Sequence, residues 1–107
     1  MDIFLKSVSA LNDETRIILL RFIDEHGECC VCDLQNSLEM IQSRLSRHLK
    51  ILKDAGFLRV ERKGTWAYYS VRSPLDRFRL EALEEIRHLN LVLPQMKNCK
   101  ATKECEV

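Results

Sequence analysis

Apolar residues recur at helical spacing through the first half of the chain, and capping or turn residues separate the runs. The pattern predicts four helices in this half, over about residues 3–10, 13–25, 31–38 and 42–55. Asn12 and Asp13 are suited to cap the second helix, and Gly27 is suited to end it. A short turn near 39–42, without glycine or proline, joins the third helix to the fourth. Two helices joined in this way are typical of a helix-turn-helix unit.

The fourth helix has two chemically different faces. At about 100° per residue, its apolar face is centred on Leu45 and includes Ile41, His48, Leu49 and Leu52. The opposite face and its flanks are polar and mostly cationic, with Ser43, Arg44, Ser46, Arg47, Lys50 and Asp54. We therefore expect one face to pack on the core and the other to meet solvent or a partner.

A β-hairpin is predicted over residues 57–71, because aromatic and β-branched residues alternate with polar ones around a turn at 62–65. A helix-turn-helix followed directly by a hairpin with a basic tip is a winged helix. The expected fold class is α+β and mainly α. It comprises a winged helix-turn-helix, a two-stranded hairpin as the wing, and a long C-terminal dimerisation helix.

The final helix is predicted to begin at Pro74 and to end near Leu93, before Pro94. Its apolar stripe is larger than a small monomer needs, and contains Leu75, Phe78, Ala82, Leu83, Ile86, Leu89 and Leu93. We interpret this stripe as a dimer surface shared with the first helix, so we expect a homodimer. Residues 1–93 then form one winged-helix DNA-binding domain. Residues 94–107 form a polar tail that contains Cys99 and Cys105.

Charge is unevenly distributed along the 107 residues. Between Met40 and Trp66, seven lysines and arginines accompany two acidic residues, a local charge of +5 in a chain whose net charge is only +1. This favours a polyanion-binding face on an otherwise acidic body. The N-terminus lacks the pattern of a signal peptide, and no apolar run approaches the ~18 residues that a membrane span requires. We therefore expect a cytoplasmic protein without membrane contact.

A cationic helix of this kind fits the major groove of B-DNA, where its N-terminal residues reach base edges and its cations neutralise phosphates. Double-stranded DNA is therefore the predicted partner. The residues predicted to contact it from the fourth helix and the wing are Gln42, Ser43, Arg44, Ser46, Arg47, His48, Lys50, Arg62 and Lys63. For His48, at the edge of the apolar face, a packed core histidine is an equal alternative. A solvated charged helix is the simpler alternative for the whole face.

Three thiols occur within four residues, at Cys29, Cys30 and Cys32, in a chain with five cysteines. Because cytosolic thiols stay reduced, ligation of a soft ion or redox chemistry is favoured over a disulfide framework. Three clustered thiolates suit trivalent arsenic or antimony. Residues two apart on a helix diverge by about 200°, so binding through Cys30 and Cys32 requires the third helix to unwind at its start, whereas Cys29 and Cys32 share a face. Ordinary buried cysteines are the alternative.

Three segments, ECCVCDL, SRLSRHLKILKDAG and RKGTWAYYSV, resemble the ArsR/SmtB family of winged-helix metalloregulatory repressors, within a similarity over about residues 3–93. The first segment is similar to the cysteine box of the arsenic-responsive branch. The resemblance implies a homodimeric repressor that holds its operator when empty. It also implies that As(III) or Sb(III), as inducer, binds Cys30 and Cys32 and releases the DNA, so that an arsenic-resistance operon is expressed.

One position departs from this pattern. The third cysteine of the box corresponds to Gln35, which cannot supply a thiolate. The third sulfur is therefore expected from Cys29, the nearest candidate, with Cys99 and Cys105 as alternatives.

Other signals and other functions stay open. Cadmium, lead, zinc or thiol oxidation are alternative signals for the same repressor. Zinc is less favoured, because Asp76 and the lone His88 do not reproduce the paired acid and histidine set of zinc-sensing members. A thiol enzyme such as a metalloid reductase is disfavoured, since no anion-binding loop and no nucleophile–base–orienter set is visible. We predict a regulator and not an enzyme, without a catalytic cofactor.

Overall fold

The computed structural model describes residues 1–97. In this range the chain forms α1 (Asp2–Ala10), α2 (Glu14–His26), β1 (Cys29–Cys30), α3 (Val31–Leu38), α4 (Gln42–Asp54), β2 (Leu58–Lys63), β3 (Trp66–Val71) and α5 (Arg77–Arg87). The prediction of a mainly helical winged helix-turn-helix is confirmed. No helix in residues 1–97 combines the length and the apolar character that a bilayer crossing needs.

Local sequence signals set the ends of the helices around the helix-turn-helix. The Asp13 carboxylate accepts a hydrogen bond from the Arg16 amide at 3.0 Å and so caps α2. Gly27 ends α2 with a positive φ of 77°, which costs glycine little. Glu39 ends α3 in the left-handed region, at φ 52°. That conformation costs a residue with a side chain roughly 1–2 kcal/mol, so tertiary packing must hold this turn.

The sheet has three strands, where two were predicted. β3 lies in the middle, with β1 on one side and β2 on the other, and both pairings are antiparallel. β2 and β3 form the wing, from the pair Leu58–Val71 to the pair Lys63–Trp66 at the tip. The sequence pattern gives no sign of β1, because a two-residue strand has no periodicity and depends on its pairing with β3.

The last helix is shorter at both ends than predicted. It begins at Arg77 with Asp76 as its cap, so Pro74 lies in the preceding connection. It ends at Arg87, with His88 as its C-cap, and does not reach Leu93. The prediction from the position of the prolines and the apolar spacing therefore overestimated the length of this helix.

A contact from another helix accompanies the early end of α5. Arg21 of α2 donates to the carbonyl oxygens of Ile86, at 2.9 Å, and Leu89, at 3.2 Å. The Ile86 carbonyl lies in the last turn of α5 and also accepts from the Leu89 amide at 3.1 Å, and the Leu89 carbonyl lies just beyond the helix. Arg21 thus supplies a donor where no further turn of helix does so. Apolar spacing continues past this point in the sequence, but it carries no information about Arg21.

The core lies between α2, α3, α4, the start of β2 and α5, with its large side chains from Leu19, Leu20, Phe22, Ile23, Leu34, Leu45, Leu49, Leu52, Phe57, Leu58 and Leu83. Leu83 and Ile86 therefore belong to the chain's own core and not to a dimer stripe. Ile41 also departs from its predicted place. It precedes α4 as the N-cap and is 69% exposed, so the helical angle used to place it on the core face does not apply.

Candidate nucleic-acid interface and thiol site

Eight of the nine predicted DNA contacts are exposed on α4 and the wing: Gln42, Ser43, Arg44, Ser46, Arg47, Lys50, Arg62 and Lys63. On α4 they lie opposite the buried Leu45 and Leu49, as the helical periodicity predicted. Lys50 also forms an ion pair with Asp54 one turn later, at 2.9 Å. The exposed side of α4 is therefore available to a polyanion.

The N-terminus of α4 carries backbone donors without a side-chain cap. Ile41 is its N-cap and makes no capping hydrogen bond, whereas the side chains of Asp13, Cys30 and Asp76 cap α2, α3 and α5. The first turn of α4 also contains no acidic residue. Because free amides and the positive end of the helix dipole attract anions, this end of α4 favours a phosphate group.

His48 is the predicted DNA contact that lies buried. Its Nδ1 is 3.3 Å from a guanidinium nitrogen of Arg16, whose Nε donates to the Ala10 carbonyl at 2.8 Å. Burial lowers the pKa of His48, so the neutral ring faces Arg16. This geometry supports the packed-histidine alternative, in which His48 joins α4 to α2.

Cys30 lies in β1 and caps α3. Its backbone is extended, and its Sγ accepts a hydrogen bond from the Asp33 amide at 3.4 Å. Burial raises the pKa of the Cys30 thiol, although the hydrogen bond from Asp33 opposes that effect. Donors at a helix N-terminus stabilise negative charge on a sulfur, but here burial outweighs them and the pKa of Cys30 stays raised.

Cys29 is completely buried, and its Sγ donates to the Gly27 carbonyl at 3.3 Å. Burial, with smaller contributions from the charges of Asp33, Cys30 and Glu28, raises the pKa of this thiol to about 12. A thiol must lose its proton to bind a soft ion. Cys29 is therefore a poor ligand in this conformation, in contrast to its predicted preference as the third sulfur.

Cys32 lies in the first turn of α3 and borders a cavity of about 480 Å³. The same cavity is lined by Gln42 and Ser46 of α4 and by Arg62 of the wing. Gln35, at the position of the third cysteine of the box, lines it as well. Cys32 is disulfide-bonded in this structure, so a metalloid reaches its sulfur only in the reduced protein.

The structure corrects the predicted geometry of the thiols. Because Cys29 and Cys30 lie in β1 and only Cys32 lies in α3, the helical angles between them do not apply. Unwinding of α3 is therefore not required by that argument, and Cys29 and Cys32 do not share a helical face. Within residues 1–97, no three His, Cys, Asp or Glu side chains are arranged to hold a metal ion. Cys99 and Cys105, the alternative sources of the third sulfur, lie outside the described residues.

A polar contact that the sequence did not reveal ties the end of the described chain to α3. The buried Ser37 hydroxyl accepts a hydrogen bond from the Lys97 amide at 2.7 Å, and Lys97 Nζ forms an ion pair with Glu39 at 3.2 Å. Met96 packs on the core beside them. Serine in a short helix is a common surface residue, so only the fold identifies this one as an anchor. The domain boundary after residue 93 stays a prediction.

Comparisons with known proteins agree with this fold. A family profile described as "Bacterial regulatory protein, arsR family" matches residues 13–60. The arsenical resistance operon repressor of Bacillus subtilis is 47% identical over 62 residues, which are 58% of this chain and 59% of that protein. An uncharacterized HTH-type transcriptional regulator of Methanocaldococcus jannaschii is 39% identical over 62 residues, 58% of this chain and 70% of its own length. The first three curated relatives are matched over 53% to 64% of their length.

Solved structures of other proteins share the winged-helix fold of this chain. A homodimeric winged helix-turn-helix DNA-binding domain from Mycobacterium bovis superposes with a TM-score of 0.68 at 22% identity, over 80% of this chain and 76% of that one. An antimony-specific transcriptional repressor superposes with a TM-score of 0.63 at 29% identity, over 77% of this chain and 71% of that one. The matched proteins are named as regulators, which confirms the prediction of a regulator and not an enzyme.

Proposed function

This chain belongs to the arsR family of bacterial regulatory proteins, and we propose that it is a homodimeric repressor that leaves its operator DNA when As(III) or Sb(III) binds its thiolates. Release of the operator then allows an arsenic-resistance operon to be expressed. The observation that carries the proposal is the cavity in which Cys32 lies beside Gln42, Ser46 and Arg62. A ligand on that sulfur lies next to side chains that are suited to read DNA.

DNA binding is supported by the exposed cations of α4 and the wing and by the free amides at the start of α4. Residues Gln42, Ser43 and Ser46 are in the first turns of the helix, from which side chains reach base edges in the major groove. Arg44, Arg47 and Lys50, with Arg62 and Lys63, are placed to neutralise phosphates. The burial of His48 supports a packing role for it in this scheme.

Recognition of a metalloid is supported by the chemistry of the thiols. Thiolate sulfur is a soft donor that selects thiophilic ions. Cys30 and Cys32, at the start of α3, are the two proposed ligands within the described residues. The similar proteins include one named for arsenical resistance and one named for antimony specificity.

The third sulfur in this proposal comes from Cys99 or Cys105. Glutamine occupies position 35, and the high pKa of Cys29 makes its thiolate scarce at neutral pH. The Ser37–Lys97 contact fixes the chain two residues before Cys99, next to α3. Changing Cys29, Cys99 and Cys105 to serine, one at a time, identifies the third ligand by loss of stoichiometric binding of As(III).

A homodimer is supported by the exposed apolar side chains of α1 and around α5, which are Ile3, Phe4, Leu5, Val8, Leu80 and Leu89. A contiguous apolar surface of this kind on a small domain marks an interface. Phe4 of α1 contacts Phe78 of α5, with 5.1 Å between ring centroids, so the two helices form one surface. Two subunits then present two α4 helices to the two halves of an operator.

The test is binding of the reduced protein to the DNA upstream of its own gene, at fixed salt and with a non-thiol reductant, titrated with arsenite. Salt is fixed because phosphate contacts make affinity depend steeply on it. We expect release near one arsenite per subunit in the wild type. Cys32→Ser and Cys30→Ser are expected to bind DNA with nearly unchanged affinity and to resist release.

Two outcomes contradict the proposal. Tight DNA binding that ignores arsenite and antimonite removes the metalloid as inducer and directs the search to cadmium, lead or oxidants. Loss of DNA affinity in Cys32→Ser without any ligand assigns the thiol to the structure of the DNA-binding form and not to sensing.

A further inference from the structure

The wing is hydrogen-bonded to the segment that carries the thiols. β1 pairs with β3, so that Cys29 lies opposite Tyr69 and Cys30 lies opposite Tyr68. β3 is also the inner strand of the wing hairpin and pairs with β2 up to Lys63 at the tip. A displacement of the backbone at either cysteine is therefore passed directly to the wing, without passing through α3 and α4.

A side-chain contact connects the same two places. The Nζ of Lys63 lies 2.8 Å from a carboxylate oxygen of Glu28, the residue before Cys29. The two side chains are 50% and 34% exposed, and the Lys63 ammonium also lies 5.1 Å from the centre of the Tyr68 ring. One of the two wing cations proposed to contact DNA is thus held by a carboxylate that belongs to the thiol segment.

We infer that the wing is an element through which the thiol site acts on DNA, and that Glu28 is the positioning residue that decides whether Lys63 is available to a phosphate. This inference rests on the proposed function. The Glu28 carboxylate competes with the DNA backbone for Lys63, because it neutralises the ammonium and repels a phosphate placed beside it. The position of residues 28–30 sets that balance, and an ion bound to Cys30 changes their position.

The strength of the contact suits such an exchange. A partly exposed ion pair contributes little free energy, so a phosphate can replace the carboxylate. A phosphate contact also releases a counterion, which makes the replacement depend on salt. A fully buried pair in the same place would hold Lys63 permanently.

The first test measures DNA affinity without metalloid in Glu28→Gln and in a matched control, Glu61→Gln. Both variants remove one negative charge from the wing region, but Glu61 forms its ion pair with Arg59 and acts on Lys63 only as a more distant charge. Releasing Lys63 is expected to raise affinity about two- to fivefold in Glu28→Gln, the range expected for a partly exposed ion pair. Glu61→Gln is expected to change it less than twofold.

The second test repeats both substitutions in a Lys63→Gln background. The gain from Glu28→Gln is expected to disappear there, because no ammonium is left to release, and the small effect of Glu61→Gln is expected to persist. An equal gain from Glu28→Gln with and without Lys63 overturns the inference, because the effect is then one of net charge. These measurements need no arsenite, so they stand apart from the question of the inducer.

The third test follows backbone amide exchange in the protein without DNA. Arsenite is expected to accelerate exchange at Tyr68 and Tyr69 in β3, and Glu28→Gln is expected to reduce the change in DNA affinity that arsenite produces. Changes confined to α3 and α4 would exclude the wing as the route. A wild-type protein that arsenite does not release refutes the proposed inducer, and the Glu28–Lys63 cycle still decides the role of Glu28.

Discussion

Cys29 illustrates how the environment of one residue separates thiols that look equivalent in sequence. It is buried and donates to the Gly27 carbonyl, whereas Cys30 caps α3 and Cys32 borders a cavity. Three cysteines that lie within four residues of the sequence therefore have sulfur atoms in three different environments. Cys29 is the most buried of the three, and burial raises the pKa of its thiol to about 12.

The reactivity of Cys29 is the first prediction. With its pKa raised to about 12 by burial, its thiolate is about 1,000-fold scarcer at pH 8 than at the ordinary value of 9.0. The higher basicity of the thiolate offsets part of this loss. We therefore expect alkylation of Cys29 by iodoacetamide at pH 8 to be about 30- to 60-fold slower in the folded, reduced protein than in urea. Peptide mass mapping measures both rates, and similar rates would contradict the burial of this thiol.

His48 leads to a prediction about acid stability. Burial lowers its pKa, so the unfolded chain takes up this proton at a higher pH than the folded chain. The stabilising contribution is complete above the unfolded pKa of about 6.5 and is lost as the pH falls through the folded pKa. The free energy of unfolding is therefore expected to fall between pH 7 and pH 5, with a slope of at most about 1.4 kcal/mol per pH unit from this group.

Urea unfolding at a series of pH values checks this expectation. His48→Gln is expected to flatten the dependence, while His88→Gln, which replaces the exposed C-cap of α5, keeps it. The salt dependence of DNA binding is expected to stay unchanged in His48→Gln, because a buried ring meets no phosphate. A shallower salt slope in that variant would favour the phosphate-contact alternative.

At the scale of elements, Arg79 joins three helices. Its guanidinium donates to the Ala55 carbonyl after α4 at 2.7 Å, to the Ser7 hydroxyl of α1 at 2.6 Å, and to the Asp76 carboxylate at 2.8 Å. The side chain is only 13% exposed. Gly56 leaves room for it, since a Cβ there would lie 2.7 Å from the Arg79 Nε. The C-terminus of α4 is therefore held in place by α5.

Replacing Arg79 by glutamine is expected to lower the free energy of unfolding by about 2–3 kcal/mol, because Ser7 and the Ala55 carbonyl lose a charged donor in a buried place. Arg77 provides the control, since it is exposed and its side-chain contact within residues 1–97 is with Glu81 of its own helix, at 3.5 Å. Arg77→Gln is expected to change stability by less than about 0.5 kcal/mol. Denaturant unfolding compares them, and equal losses would show that Arg79 acts only as a surface charge.

The elements differ in how far the sequence alone reveals them. α2, α3 and α4 are predictable because their caps and apolar faces are local, and their observed bounds lie within a residue or two of the expected ones. β1 exists only through its pairing with β3. Carbonyl oxygens at the end of α5 and just beyond it accept hydrogen bonds from Arg21 of α2. These contacts join residues far apart in sequence, so no local pattern contains them. The link between Glu28 and Lys63, 35 residues apart, was invisible for the same reason.

At the scale of the whole molecule, one hydrophobic core supports both the apolar surface of α1 and α5 and the cationic surface of α4. Ser7 and Ala10 are buried on one side of α1, and Leu83 and Ile86 are buried on one side of α5. The other sides stay exposed and apolar. The apolar stripe predicted for the last helix therefore combined residues of two different surfaces. Some of its members face the core, and others face solvent.

The last prediction concerns assembly. Leu5 and Val8 lie on the exposed side of α1, and replacing both with aspartate puts two charges into the proposed interface. Each apolar side chain buried in a dimer contributes about 1.5–3 kcal/mol, so the double variant is expected to raise the dimer dissociation constant at least about 100-fold. Val92→Asp is the control, because Val92 is apolar and 93% exposed but lies outside α1 and α5.

Sedimentation equilibrium over a range of concentrations measures the dissociation constant, and circular dichroism checks that the helices persist. DNA affinity is expected to fall in parallel for the double variant, because a monomer presents only one α4 to an operator with two halves. An unchanged dimer would place the interface elsewhere. A monomeric double variant with wild-type DNA affinity would instead keep the interface and contradict binding to two half-sites.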